Sequence, residues 1–421
     1  MNKILIISFF LFTLSVSAQE DIVSEVEVLG LKHTKLSFIQ KLISVKKGTD
    51  LDSLIIQKDI RKLNRLVAVA NASYSIIKTT EHNYKVIFQI EENLTIIPQA
   101  NIWTVNDKLS YSVGLYEYNL LGRNIKIGGF YQDNGFDSYG ASFNAPFLFS
   151  KSFGLGFTYQ NWTSEEPLYF DDLVANYKYN NEFFELTILS QLTYKNSISL
   201  AVNLFTENYA FLNGDDSLGT GLIPLNLKQD KSMLKFGYVH DNLKYDYYLL
   251  SGFKSILNIQ TVATEGNYDD LFLFGLNDFL YFKRVGLKGN FATRIRLGIA
   301  SNKKSPFAPF ALDNNLNIRG VGNTIDRGSA SIVWNLEYRQ TLIEKNWFVM
   351  QTNLFMDAGS WRDPGGELGD IVNPDKFRVY AGGGLRFMHK RIYNAIFRVD
   401  YGYGITDKNS GGIVIGIGQY F

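Results

Sequence analysis

From about Ala100 to its last residue, this chain is written in short runs whose apolar residues fall on every second position. Period two is the spacing of a β-strand, because successive side chains leave it on opposite faces. In Ser197 to Phe205, Ile198, Leu200, Val202 and Leu204 share a face opposite Ser197, Ser199, Ala201 and Asn203. In Leu287 to Ile299, Leu287, Phe291, Ile295, Leu297 and Ile299 oppose Lys288, Asn290, Arg294 and Arg296. In Ile332 to Arg339, Ile332, Trp334, Leu336 and Tyr338 oppose Asn335, Glu337 and Arg339. Roughly sixteen such segments follow one another, near 109–118, 123–132, 138–146, 152–161, 172–180, 183–192, 196–208, 232–242, 249–262, 269–283, 286–300, 328–340, 346–358, 376–388, 391–402 and 411–421. That is about 20 residues per strand and connection, as spanning strands of roughly ten residues with their turns require.

Charged residues on one face and apolar residues on the other fit water inside a barrel and lipid outside it. A soluble sandwich also alternates, but its charged face meets solvent and its apolar face a shared core. The number and length of the segments favour a 16-stranded antiparallel transmembrane β-barrel. Composition agrees. Aromatics make up 15 %, with 25 Tyr and 32 Phe, and there are 36 Gly, as suits strands with aromatic belts at the membrane interfaces. The formal net charge of +1 gives no basic field for nucleic acid. The absence of Cys excludes thiolate catalysis, Cys-ligated zinc and disulfides.

The connections vary in length. Lys283-Arg284-Val285 and His389-Lys390 are tight and follow even-numbered segments, whereas Tyr209 to Lys231 and Ser301 to Arg327 are long and follow odd ones. That is the pattern of short turns at one mouth and long loops at the other. Asn180-Asn181-Glu182 is tight after an odd segment, so either that outer loop is short or the count slips there.

Before the barrel, residues 1–18 read as a signal peptide: Lys3, an apolar stretch Ile4 to Leu14, and Val16-Ser17-Ala18 before Gln19. No later run of 18 apolar residues offers a spanning helix. Residues 19–97 read as an α+β domain, leaving 98–421 to the barrel. Val23 to Leu31 alternates as a strand. Thr34 is placed to cap a helix carrying Leu36, Ile39, Leu42 and Ile43, and Asp52 or Ser53 opens a second with Ile56, Ile60, Leu63 and Val67 on one side. Two strands follow, near Ala72 to Lys78 and Tyr84 to Glu91.

One loop stands out. Leu316-Asn317-Ile318-Arg319-Gly320-Val321-Gly322 sets a cation just before two glycines in the long Ser301 to Arg327 connection. It makes sense if the loop folds back into a polar cavity where the guanidinium meets carboxylates, because Arg pairs carboxylates bidentately better than Lys does. The candidates are Glu337, on the side of Asn335 and Arg339, and Asp357, on the side of Phe355, Asn353 and Gln351. The alternative is an exposed loop cation, with Asp357 paired to a nearby lysine.

These features together resemble the BamA/TamA-type outer-membrane assembly superfamily, across nearly the whole mature chain. In that family an Arg-Gly loop tip between the eleventh and twelfth strands enters the lumen and pairs with the acidic residue of a Phe-x-Asp-x-Gly strand, here Phe355-Met356-Asp357-Ala358-Gly359. Tyr118-Asn119-Leu120-Leu121-Gly122-Arg123 looks like the turn after its first barrel strand, with Asn124 where Gly is frequent. Ala381-Gly382-Gly383-Gly384-Leu385-Arg386 and Arg398-Val399-Asp400-Tyr401-Gly402 look like its penultimate strands. The terminal Phe421, with Gly416 five residues before it, resembles the family's β-signal, from which Gln419 departs. The N-terminal order β-α-α-β-β resembles a single POTRA domain, in the periplasm.

The resemblance implies a non-enzymatic factor that inserts or translocates outer-membrane proteins. It implies no cofactor and no metal. The implied partners are outer-membrane lipids, unfolded outer-membrane protein clients, and periplasmic chaperones or accessory lipoproteins; nucleic acid is not among them. Arg319, Gly320, Glu337, Asp357 and Gly359 would form the lumen pairing. The first strand, near Tyr111 to Tyr118, and the last, carrying Gly416 and Phe421, would meet at a lateral seam. Gly411, Gly412, Gly416 and Gly418 suit either a weakly paired last strand or ordinary barrel curvature. The rival readings are a two-partner-type secretion pore for a dedicated exported protein and a passive channel.

Enzymatic signals are weak. None of His33, His82, His240 and His389 stands in a metal-spaced pair, and there is no Gly-x-Ser-x-Gly elbow or Walker loop. Gly382-Gly383-Gly384 lies in a strand-like run rather than a phosphate cradle. Asn213-Gly214-Asp215-Asp216 reads as a solvated turn before it reads as a cation site.

Overall fold

A computed structural model describes residues 21–421 apart from 106–107, 171–172, 215–222, 267–269, 302–307, 314–315, 323–325, 393–394 and 407–409. The expected signal peptide lies outside the described residues, as do Asp215 and Asp216 of the acidic turn. The N-terminal unit runs β1 (Ile22–Leu29), α1 (Leu36–Leu42), α2 (Ser53–Leu63), β2 (Val69–Thr80) and β3 (Asn83–Glu92), with sheet order β1-β3-β2. Its core is Val23, Phe38, Ile39, Leu42, Ile56, Leu63, Val86, Phe88 and Ile90. The helical spacing and the strand alternation bring these residues to one side of a small sheet. Asp52 caps α2 by accepting from the backbone N–H of Leu54 at 2.7 Å. Thr34 does not cap α1, where Lys35 is the N-cap; its hydroxyl accepts instead from Asn119 Nδ2 at 3.0 Å, in a barrel turn.

The barrel comprises β4 (Ile96–Val105), β5 (Lys108–Leu120), β6 (Ile125–Asp133), β7 (Asp137–Ala145), β8 (Phe153–Phe170), β9 (Leu173–Gln191), β10 (Asn196–Gly214) and β11 (Asn226–Asp241). A short strand, β12 (Lys244–Asp246), precedes β13 (Leu249–Gly266), β14 (Asp270–Val285) and β15 (Gly289–Ala300). Two short strands in the long loop, β16 (Phe310–Leu312) and β17 (Asp326–Gly328), pair with each other. The wall then resumes with β18 (Ala330–Lys345), β19 (Phe348–Arg362), β20 (Arg378–His389), β21 (Ile396–Gly404) and β22 (Gly411–Ile417). Without β12, β16 and β17, sixteen strands close the wall, each antiparallel to its sequence neighbour, and β22 lies beside β4.

The total of sixteen matches the sequence reading because two local errors cancel. The stretch Ile96–Val105, ahead of the first predicted segment, forms the first wall strand. Its Pro98 argues against an interior strand, and the fold reconciles this by using it at the seam, since prolines in sheets are confined to edges and strand starts. Conversely, segments 172–180 and 183–192 are one strand, β9, running unbroken through Asn180-Asn181-Glu182. The side chain of Asn180 donates across to Asn161 Oδ1 at 2.9 Å and Thr163 Oγ1 at 3.0 Å, so it forms a polar rung and not a turn.

Leu200, Val202, Leu204, Leu234, Ile295, Leu297, Trp334, Leu354, Ile413 and Ile415 are exposed on the outer face, while Arg294, Asn335, Glu337, Asn353, Asp357 and Asp400 are buried on the inner one. An apolar outside around a polar lumen is what lipid demands.

The N-terminal unit rests on the turns at one mouth. Lys35 N–H donates to Gly122 O at 3.0 Å, Phe38 packs against Phe147, and Leu94 N–H donates to Arg391 O at 2.7 Å. Glu92 accepts from the backbone N–H groups of His33 at 2.9 Å and Thr34 at 2.8 Å, fixing the segment that reaches Gly122. Burial pushes its carboxyl up, but these donors outweigh burial and hold it below the ordinary glutamate value. A depressed carboxyl stabilises the fold above the unfolded value, near 4.3, and that stability is lost as pH falls through the folded value. Hydrogen-exchange protection at the Lys35 amide is therefore expected to drop on acidification below about pH 4. Glu92→Gln is expected to show low protection already at neutral pH; equal protection in both proteins would show that Glu92 does not hold this contact.

Candidate functional site in the barrel lumen

The connection between β15 and β18 folds inward. Phe310 of β16 stacks on Phe274 of the wall, with centroids 4.8 Å apart, and Leu312 and Ile318 are buried against Val333, Trp361 and Tyr380. This apolar anchor lets the polar tip reach across the lumen. Asp313 forms a turn there: its carbonyl accepts from Asn317 N–H at 3.1 Å and Ile318 N–H at 2.9 Å, and its carboxylate from Leu316 N–H at 2.7 Å.

Arg319 follows and is fully buried. Its Nε and Nη2 donate to Asp357 Oδ2 at 2.8 Å and Oδ1 at 3.0 Å, and its backbone N–H donates to Asp357 Oδ2 at 3.0 Å. Its Nη1 donates to Glu337 Oε2 at 2.8 Å and lies 3.8 Å from Asp400 Oδ2. The planar fork therefore engages Asp357 bidentately and still reaches β18. Phe355 and Tyr420 face the guanidinium, with ring centroids 3.6 and 4.5 Å from its central carbon.

The pairing belongs to a network. Glu337 also accepts from Arg339 Nε at 2.7 Å and is 2.6 Å from Arg386 Nη1. Arg398 and Asp400 on β21 are 3.3 Å apart, and Asn353 Nδ2 donates to Asp400 Oδ1 at 3.0 Å. Arg296 binds both oxygens of Asp278 at 2.7 Å and reaches Asn317 Oδ1 at 3.1 Å. Asn335 Nδ2 donates to Asp357 Oδ1 at 2.8 Å and Asn317 O at 2.7 Å. Around the tip, Arg296, Arg319, Arg339, Arg386 and Arg398 thus meet Asp278, Glu337, Asp357 and Asp400. Pairing of opposite charges is what side chains buried away from solvent require.

Glycines set the contact of the loop with the last strands. Gly320 has φ +93°, and a Cβ there would lie 2.5 Å from Gly402 O on β21. A Cβ on Gly402 would lie 2.1 Å from Arg319 O. The two backbones meet with no room for a side chain. Gly359 on β19 makes space in the same way for Ile318.

The structure thus brings Arg319, Gly320, Glu337, Asp357 and Gly359 together. It does not bring together the four residues read as the seam. Tyr111 and Tyr118 lie on β5, the second wall strand, because β4 precedes them. Gly416 is on β22, where its missing side chain leaves room for the Arg398 guanidinium. Phe421 is not on the last strand: β22 ends at Ile417, and Gly418, at φ +100°, turns the chain inward. Tyr420 is buried between Arg319 and Arg398, and Phe421 faces Arg294 and Arg339. Asp278, Arg386 and Tyr420 were not singled out from sequence. For the first two the signal was there, because they share the lumen parity of their strands; for Tyr420 there was none.

No family model and no curated protein matches the sequence. Solved structures do. The crystal structure of BamA from Haemophilus ducreyi lacking POTRA domains 1–3 matches with a TM-score of 0.54 at 18% identity, over 94% of this chain and 83% of that one. CdiB from Acinetobacter baumannii matches at TM-score 0.58 and 13% identity, over 95% of this chain and 74% of that one. CdiB from Escherichia coli matches at TM-score 0.62 and 11% identity, over 95% and 77%. The chain therefore has the barrel fold of the BamA/TamA-type superfamily that its sequence resembles.

Proposed function

We propose that this chain is a non-enzymatic outer-membrane assembly factor, with the N-terminal unit acting as a POTRA-like domain in the periplasm. In this reading its clients are unfolded outer-membrane proteins, which enter the membrane through the seam between β4 and β22. The observation that carries the reading is the state of the last strand. β22 has seven residues, against eighteen or nineteen in β8, β9, β10 and β13 on the far side of the barrel. Unpaired backbone groups in lipid cost several kcal/mol each, so a short closing strand makes the seam the cheapest place to open. The Arg319 tip then braces β18, β19 and β21, so that the rest of the wall keeps its shape while β22 parts from β4. A client strand offers its own backbone groups to the freed edge, and their pairing replaces that of the seam. No nucleotide is required.

A secretion pore for a dedicated exported protein is the second reading, favoured by the likeness to the two CdiB structures. Depletion of the protein followed by quantitative outer-membrane proteomics separates the two. Assembly predicts that several barrels fall together and are restored by the wild type but not by Arg319→Ala. Loss of a single exported protein supports the secretion pore. An unchanged proteome with lower solute permeability overturns both in favour of a passive channel.

A further inference from the structure

The turn between β11 and β13 does not stop at the rim. After Asp241 pairs with Lys254, the chain continues through Asn242 and Leu243 into β12, which pairs back on Leu249–Ser251. Leu243 is buried inside the barrel with Leu280, Phe282 and Ala292, and the terminal Phe421 packs against the same cluster. Asn290, fully buried on β15, grips the hairpin with both ends of its amide: Oδ1 accepts from Leu250 N–H at 3.0 Å, and Nδ2 donates to Leu250 O at 2.9 Å. The tip then reaches over to strands several places on around the wall. Tyr248 packs on Val349, Met388 and Ile396 of β19, β20 and β21, and its hydroxyl donates to Glu344 Oε2 at 2.8 Å. Tyr247 sits in the left-handed region at φ +51°, a conformation a tyrosine holds only where its surroundings impose it.

The N-terminal unit holds this hairpin from below. Arg65, just after α2, donates from Nη2 to Asp241 O at 2.9 Å and Leu243 O at 3.1 Å, and its guanidinium lies over the rings of Tyr194 and Tyr245 at 5.5 and 5.9 Å. Tyr247 OH donates to Glu91 at 3.0 Å, and Glu91 pairs with Arg391 at 2.7 Å.

We infer that the 242–251 hairpin is a gate across the barrel mouth nearest the N-terminal unit, with Arg65 as its latch. The hairpin reaches from β11 and β13 across to β19, β20 and β21, so in this reading the lumen is open from that side only when the hairpin swings out. The Arg65 contacts run to backbone carbonyls of the hairpin root, so displacement of the N-terminal unit by anything it binds withdraws the latch and frees the tip. This device is separate from the seam: it governs access to the lumen whatever route a client takes.

Because the chain contains no Cys, a single cysteine reports access cleanly. Gln351 lies on the lumen face of β19, 1% exposed, near the tip contact at Val349. The test is the rate at which a bulky hydrophilic maleimide labels Gln351→Cys in the full chain in lipid nanodiscs. It is measured in the parent, with Arg65→Ala, and with Tyr248→Ala. Thr80→Cys, exposed on β2, serves as the accessible control. The gate predicts slow labelling in the parent, at least tenfold slower than at Thr80→Cys, and at least tenfold acceleration with each substitution. Fast labelling in the parent, or no acceleration with either substitution, overturns the gate. Acceleration with Tyr248→Ala alone overturns Arg65 as its latch. The far-ultraviolet circular dichroism of each protein, compared with the parent, checks that the barrel is intact. Failure of the assembly reading would leave the labelling result untouched.

Discussion

Arg319→Ala is expected to lower the unfolding free energy of the barrel by about 3–5 kcal/mol, the usual loss when one partner of a buried ion pair is removed. The substitution strips Asp357 of two side-chain donors and Glu337 of one, while leaving both fully buried. The remaining arginines cannot move in to replace it: Arg339 is held by Glu337 itself, and Arg296 by Asp278. Arg319→Lys keeps the charge but presents one compact ammonium where Asp357 receives a fork, so only part of the loss should return. The measurement is the urea midpoint of the folded barrel in micelles. The double variant Arg319→Ala with Asp357→Asn should lose less than the two single losses combined, because it no longer strands a charge. Additive losses would mean that the two side chains are not energetically coupled.

The second large effect is expected at Gly402. A valine there would place its Cβ about where the Arg319 carbonyl stands, 2.1 Å away, and the loop backbone cannot yield without pulling Arg319 off Asp357. Overpacking of this kind costs roughly 1–3 kcal/mol in an otherwise rigid site. Gly320→Val would combine the same overlap with a left-handed backbone, itself about 1–3 kcal/mol for a residue with a side chain. Gly411→Ala offers a control on the neighbouring strand, where the nearest atoms to a new Cβ, Gly402 O and the Tyr401 hydroxyl, are 3.0 Å away and the Arg319 loop is not among them. Limited proteolysis of the 301–329 loop should accelerate with the valine substitutions and not with the control. Equal resistance in all three proteins would show that the loop does not depend on its contact with β21.

The pairing was legible because its signals are local. An arginine followed by Gly320 and Gly322 in a long loop reads either as an exposed cation or as one buried against acid, and strand parity, which puts Glu337 and Asp357 on the lumen side, supplies the acid. The wall was legible through period two alone. What failed were places where a residue's local preference conflicts with its tertiary role. β4 lies across the boundary placed at residue 97 or 98 and carries Pro98, which an interior strand would not hold and a seam strand can. Asn180 and Asn181 read as a turn by composition, whereas their amides serve as rungs within an unbroken β9. The C-terminus misled for the opposite reason. Its alternation continues through Ile417, and nothing local marks that Gly418 takes a positive φ and sends Tyr420 and Phe421 to the arginines. The gate hairpin gave no local sign of its inward fold, which depends on partners from the N-terminal unit, β14, β15, β18 to β21 and the C-terminal residue.

The proposed assembly role requires that β22 part from β4, which lies beside it in the closed barrel. In this cysteine-free chain, a cysteine at Gln99 or Ala100 on β4, combined in turn with cysteines along positions 411–417 of β22, identifies the pair that forms a disulfide across the seam. The decisive measurement is the rate at which vesicles carrying that linked barrel take up an unfolded outer-membrane protein, before and after reduction. Leu200→Cys with Phe236→Cys, opposed on β10 and β11, controls for cross-linking away from the seam. The account predicts that the seam-linked barrel loses most of its insertion rate and recovers it on reduction, while the control pair has no effect. Insertion at the full rate with the seam covalently shut would contradict it.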